Sequence, residues 1–174
     1  MEPPLGLPRG KVCLVSHDPR WSKLYQCAEA DLRRCLGKWI VAMEHIGSTA
    51  IAGLEAKPIL DLMIAVRSLR LPSEVFAKLC DIGYEHRDQD TVPGRLFFAK
   101  GAETARTHYL SVCESQSSFW KSHIEFRDKL RADDRLARDY AHLKRQLAKQ
   151  FPDDRHAYAN AKESFIHSVI AAAR

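Results

Sequence analysis

Candidate strands and helices alternate up to Cys113 and candidate helices alone follow, and this order predicts an α+β domain, a mixed sheet flanked by helices with a C-terminal helical part. Two segments carry that reading. Ile59–Val66 is an apolar strand in which Leu60, Leu62, Ile64 and Val66 line one face and Ile59, Asp61, Met63 and Ala65 the other. Trp21, Leu24, Tyr25, Ala28, Leu32, Cys35 and Leu36 recur at three- and four-residue steps, the signature of one buried helix face.

The elements follow in order. Residues 1–11 hold three of the eight prolines and read as an irregular arm; residues 12–174 read as one domain. Val12–Ser16 is a candidate edge strand. Asp18-Pro19 opens the first helix, with the Asp carboxylate as cap, and Gly37 closes it. Trp39–Met43 is a strand leading into Glu44–Thr49, and residues 49–54 allow one short helical turn before Lys57-Pro58. Ser73–Ile82 has helical spacing in Val75, Phe76, Leu79 and Cys80, and Gly83 ends it. Arg95–Lys100 and Arg106–Cys113 are two further strands. Phe119, Trp120, Ile124, Phe126 and Leu130 mark one helix face. Leu136, Tyr140, Leu143, Leu147 and Phe151 mark another, Pro152 breaks the pattern, and Tyr158 to Ile170 form a last helix.

Composition excludes several classes. At 174 residues, 45% hydrophobic and 28% charged, the chain is too apolar for disorder, and eight Gly with eight Pro rule out low complexity. The longest apolar runs, Leu62–Val66 and Val169–Ala173, fall short of the roughly 18 residues of a membrane span. The first residues carry neither a basic start nor an apolar core, so no signal peptide is expected and the chain is placed in the cytoplasm. Net charge is +5, with 14 basic against 12 acidic residues in 1–101 and 13 against 10 in 102–174. Charge this dispersed argues against nucleic acid as partner and suits a small anionic ligand. Five cysteines without a Cys-x-x-Cys spacing read as structural thiols among apolar residues in a reducing compartment.

Chemistry concentrates in Glu44–Val66. A strand running into Gly47-Ser48-Thr49 at the mouth of a short helix offers N–H groups and hydroxyls to phosphate oxygens. Asp61 lies 14 residues beyond Gly47 on a strand, where a carboxylate can bind magnesium. Gly-Ser, a gap, then Asp on an apolar strand is the layout of the nucleotidyltransferase superfamily. An unpaired carboxylate on an apolar face costs several kcal/mol of desolvation, so a metal, an anion-site lysine such as Lys57, or a structural ion pair with Lys57 or Arg127 must answer Asp61. His17, His86, His123, His142, His156 and His167 show no metal-ligand spacing and read as surface or filler.

The block His45-Ile46-Gly47-Ser48-Thr49, then Gly53-Leu54, then Ala56-Lys57-Pro58-Ile59-Leu60-Asp61 resembles the signature of the GrpB family, a group with a nucleotidyltransferase-like fold. The similarity continues through Thr107-His108-Tyr109-Leu110, Phe126-Arg127-Asp128, Tyr140-x-x-Leu143-Lys144 and Tyr158-x-x-x-Lys162-x-x-Phe165-Ile166. Ile51-Ala52 stands where members usually have Val-Pro, and Tyr109 and Ser111 stand where further histidines are frequent. GrpB-like domains also occur fused to dephospho-CoA kinase, which the resemblance extends to an expectation of nucleotide or coenzyme A metabolism. It also implies that the Arg106–Cys113 strand lies beside Ile59–Val66, with His108 able to face Asp61.

The expected site therefore has Asp61, His108 and His45 as catalytic candidates. Gly47, Ser48, Thr49, Lys57, Arg127, Lys144 and Lys162 are the ligand-binding candidates, and Asp61 is the candidate magnesium ligand. Active nucleotidyltransferases hold two metals about 4 Å apart with a further carboxylate two residues after the first; here that position is Met63, which does not ligate a hard cation. Two functions stay open: an enzyme acting on or with a nucleotide or other phosphorylated small molecule, and a non-catalytic metabolite-binding module. True nucleotidyl transfer is not expected.

Overall fold

The computed structural model describes residues 5–90 and 92–172. Its element order is α1 (Arg20–Leu36), β1 (Ala42–Ile46), β2 (Leu60–Val66), α2 (Ser73–Asp81), β3 (Tyr84–His86), β4 (Arg95–Lys100), β5 (His108–Glu114), α3 (Ser118–Ala132), α4 (Asp134–Gln150), α5 (Arg155–Ala161) and α6 (Glu163–Ala171). The five strands form one mixed sheet in the order β1-β2-β5-β4-β3, with β2 and β5 parallel and every other pair antiparallel. The α+β expectation is met.

Alternation along β2 decides the two layers. Leu60, Leu62, Ile64 and Val66, with Leu110, Val112 and Phe98 from the neighbouring strands, pack against the buried stripe of α1 and against Val75 and Leu79 of α2. On the other face Met63, Ala65 and Cys113 pack with Ile46 and with Trp120 of α3. α3 contacts β1 and β5, whereas α4 and α6 pack on α3. The C-terminal helices thus stand off from the strand ends that carry Asp61 and Tyr109.

Side-chain caps fix the starts of α1, α3, α4 and α5. The Asp18 carboxylate accepts the Arg20 N–H at 2.8 Å, Ser117 accepts from Trp120, Asp133 from Arg135 and Leu136, and Asp154 from Ala157. Asp133 also ends α3, so α3 and α4 meet at one residue.

Several expectations need correction. α1 ends at Leu36 with Gly37 as its cap, as expected, but Gly37 has a φ of −40° and not a left-handed one, and a 3-10 turn, Gly37–Trp39, follows directly. The strand expected at Trp39–Met43 begins at Ala42 and ends at Ile46. Val12–Ser16 makes only a single bridge, Val15 to Ala56. β3 is new: three residues are too few for a periodicity to show. The last helix is split at Lys162, which ends α5 and precedes α6. Residues 1–4 of the expected arm lie outside the described residues, but its remainder is tied down, with Leu7 buried and bridged to Arg106. Only Cys113 is a buried thiol; Cys35 is half-buried and Cys13, Cys27 and Cys80 are exposed. No described helix is long and apolar enough to cross a membrane.

Candidate functional site

Between the second sheet face and α3–α6 lies a cavity of about 940 Å³. Register sets its floor. Asp61 on β2 stands opposite Ile46 of β1 and Tyr109 of β5; Tyr109 stands opposite Ala99, and Ser111 opposite Met63 and Phe97. The same parity brings Arg95 of β4 onto this face, where its Nη1 donates to Ser111 Oγ at 3.1 Å and its guanidinium covers the Phe97 ring at 4.2 Å. Arg95 Nε is buried without a partner.

At the mouth, Gly47 has φ 70° and ψ −174°, a conformation open essentially to glycine alone. A Cβ there would meet Asp61 Oδ2 at 2.5 Å. The glycine is therefore required twice, by its backbone and by the carboxylate packed on it. Ser48 and Thr49 line the cavity too. Ser48 Oγ accepts from Lys144 Nζ at 3.0 Å, and that ammonium also donates to the Glu55 carbonyl. The Thr49 hydroxyl is spent on His45 Nε2 at 2.9 Å.

The C-terminal helices supply the rest of the cations. Lys162 lies 4.4 Å from the centre of the Tyr158 ring, and Lys57 approaches the same ring at 5.8 Å and Tyr109 at 5.9 Å. Arg155 sits over Tyr109 at 5.2 Å and pairs with Asp90 at 3.2 Å. Neither Lys57, Lys144 nor Lys162 has a carboxylate within 4.0 Å among the described residues, and Asp61 makes no ion pair or hydrogen bond among them. Burial pushes the Asp61 carboxyl above its ordinary range, while Lys57 and Lys162 pull it back. Burial pushes Lys57 down against the attraction of Asp61. Burial and the neighbouring Lys57 bring Lys162 to about 7; burial and Lys162 bring Lys144 to about 7.

The expected histidines are elsewhere. His108 stands opposite Leu60, on the reverse face from Asp61, because strand parity carries even-numbered β5 residues to the α1–α2 side. There its Nδ1 meets Thr107 Oγ1 at 2.8 Å and its ring abuts Tyr84. His45 stands opposite Leu62 on that same reverse face and stacks on Tyr25 at 4.7 Å. Burial drives both imidazoles down to about 4. The pairing of His108 with Asp61 is overturned, and His45 does not join them.

Arg127 lines the cavity but binds protein: its Nη1 donates to Glu44 Oε2 at 2.6 Å and to the His45 carbonyl at 3.0 Å, and its Nε to Asp128. It ties α3 to β1 and forms no ion pair with Asp61.

Sequence reasoning passed over His123, which lines the cavity together with His156 and His167. Its Nδ1 lies 2.8 Å from the Phe119 carbonyl, which assigns that nitrogen the proton and leaves Nε2 as acceptor. Burial lowers its pKa, and the Phe119 carbonyl and Asp61 oppose the shift. A signal was present: His123 is four residues from both Phe119 and Arg127, on one helix face. Arg95 and Arg155 carried none, since their place depends on which sheet face the last helices cover.

Comparison with known proteins fits this picture. Residues 11–172 match the family model described as GrpB protein. The glutamate-rich protein GrpB of Alkalihalophilus pseudofirmus is 36% identical over 171 residues, covering 95% of this chain and 98% of that one. The UPF0157 protein YqkA of Bacillus subtilis is 35% identical over 93% of this chain, which spans only 47% of that relative. The crystal structure of GrpB from Enterococcus faecalis superposes with a TM-score of 0.81 at 29% identity, over 90% of this chain and 94% of that one. The chain belongs to the GrpB family.

Proposed function

We propose that the cavity binds a nucleotide or other phosphorylated or anionic small molecule, and that the chain acts on or with it. One observation carries the reading: Lys57 and Lys162 are both held against the Tyr158 ring, without a carboxylate in ion-pair reach among the described residues. Two like charges at one ring repel, and bringing them out of water costs several kcal/mol unless an anion joins them. Lys144 and Ser48 extend the cationic wall to the Gly47 turn, and Arg95 extends it along the sheet. Asp61 is the one carboxylate on the cavity floor, placed to take a proton from the ligand or to bind a single cation.

Magnesium, which the nucleotidyltransferase-like layout implies, is tested by the donor set. Met63 fills the second carboxylate position and is wholly buried among Ile46, Ala65, Cys113 and Trp120. No cluster of three or more His, Cys, Asp or Glu suited to a metal exists among the described residues. A two-metal centre does not fit these residues. That misfit favours the second reading, a non-catalytic binding module, over nucleotidyl transfer.

A thermal-shift panel of nucleotides, coenzyme A precursors, inorganic phosphate and small amines tests the proposal. A ligand at 100 times its Kd adds about 2.7 kcal/mol to the stability of the folded state. Phosphorylated compounds should raise the Tm of the wild type and not of a Lys57→Met/Lys162→Met variant. A panel in which no anion shifts the wild type would overturn the reading.

A further inference from the structure

We infer that this cavity holds a multiply charged anion with its own side-chain cations in place of divalent metal: Lys57, Lys162 and Arg95 stand where a metal centre would supply positive charge. The inference rests on the anion reading above and names how the charge is met. Three placements lead to it. First, the floor position where a second metal-binding carboxylate would stand is Met63, and its neighbour across the strand pair, Ser111, is engaged as acceptor by Arg95. A guanidinium, and not a carboxylate, therefore engages the residue that stands across from Met63 on this sheet face. Second, Lys57 and Lys162 are confined by the Tyr158 and Tyr109 rings, so their ammonium groups are prepositioned with little rotamer entropy left to lose. Third, the charges do not balance. Arg155 is matched by Asp90 and Arg127 by Glu44; among the described residues none of Lys57, Lys144, Lys162 and Arg95 has a carboxylate within 4.0 Å, and the carboxylates left in the lining to answer these four cations are Asp61 and Glu163. An anion of two or more charges, such as a diphosphate group, closes that account; a dication added beside Asp61 widens the imbalance.

The two arrangements respond oppositely to loss of Asp61. Where a metal bridges carboxylate and phosphate, Asp61→Asn removes the bridge and the ligand with it. Where lysines hold the anion, Asp61 is a nearby like charge, and Asp61→Asn tightens binding, by about tenfold for a repulsion near 1.4 kcal/mol. Calorimetric titration of the full chain with inorganic pyrophosphate, in EDTA and in magnesium, separates them. The inference expects binding in EDTA at least as tight as in magnesium, a tighter complex in Asp61→Asn, and at least tenfold weaker binding in Lys57→Met and in Lys162→Gln. Circular dichroism melts of each variant confirm that it is folded. Binding that requires magnesium and disappears in Asp61→Asn would overturn the inference while leaving the anion site standing. Absence of pyrophosphate binding under both conditions would overturn the anion site and the inference together.

Discussion

Replacing Gly47 by alanine tests how the turn and Asp61 are built on each other. At φ 70° and ψ −174° a residue with a Cβ costs about 1–3 kcal/mol in backbone strain. The added Cβ also lands 2.5 Å from Asp61 Oδ2, 2.9 Å from its Cβ and 3.0 Å from its Cγ. Those contacts are with a short side chain rooted in a central strand, so neither partner yields cheaply, and overpacking adds about 1–3 kcal/mol. Gly53 supplies the control: its φ is +75°, but nothing lies within 4 Å of its Cβ position. Gly53→Ala should therefore lose only the strain, about 1–2 kcal/mol, and Gly47→Ala clearly more. Urea unfolding followed by tryptophan fluorescence and circular dichroism reads both losses. A Gly47→Ala/Asp61→Ala double variant should recover about 1 kcal/mol of the collision, the share due to the removed Oδ2 and Cγ. Equal losses in Gly47→Ala and Gly53→Ala, or strict additivity in the double variant, would refute the packing argument.

Three further outcomes follow. His45 is buried and neutral when folded, with its pKa lowered from 6.5 to about 4. Between those values the unfolded chain binds the extra proton, so stability falls as pH drops from about 6.5 to about 4, by roughly 3 kcal/mol; urea midpoints of His45→Asn should show a correspondingly weaker acid loss than wild type. Arg127→Ala should cost about 2–3 kcal/mol in the same assay, because the His45 carbonyl and Glu44 lose their buried donor. Met63→Glu should cost about 3 kcal/mol or more and gain nothing from added magnesium in a thermal melt, since that position is a filled core site and not a vacant ligand position.

What was legible in the sequence was local. The alternation of Ile59–Val66 correctly separated Asp61 from Leu60 and Leu62, because side-chain parity along one strand needs no knowledge of its neighbours. The mistake about His108 came one level higher. β5 follows β2 only after α2, β3 and β4, and nothing local sets which residue of β5 lies opposite Asp61; the observed register places Tyr109 there. A shift of one residue would have reversed the outcome. Lys144 and Lys162 were reached through the resemblance, since a helix pattern alone does not distinguish a solvated lysine from one turned over a sheet. Arg95 and Arg155 were missed for the same reason in reverse: the packing of α4–α6 on α3, which closes the cavity, is a long-range property. His123 was the avoidable omission, because its helix face was already marked by Phe119, Phe126 and Leu130.

The claim that this cavity is an anion site is met most directly by diffraction from crystals of the full chain soaked in tungstate, a heavy-atom stand-in for phosphate. The account predicts an anomalous peak inside the cavity, within hydrogen-bond reach of the Lys57 and Lys162 ammonium groups, and its loss in Lys57→Met/Lys162→Met crystals. Peaks confined to exposed arginines outside the cavity, with none against those two lysines, would contradict it.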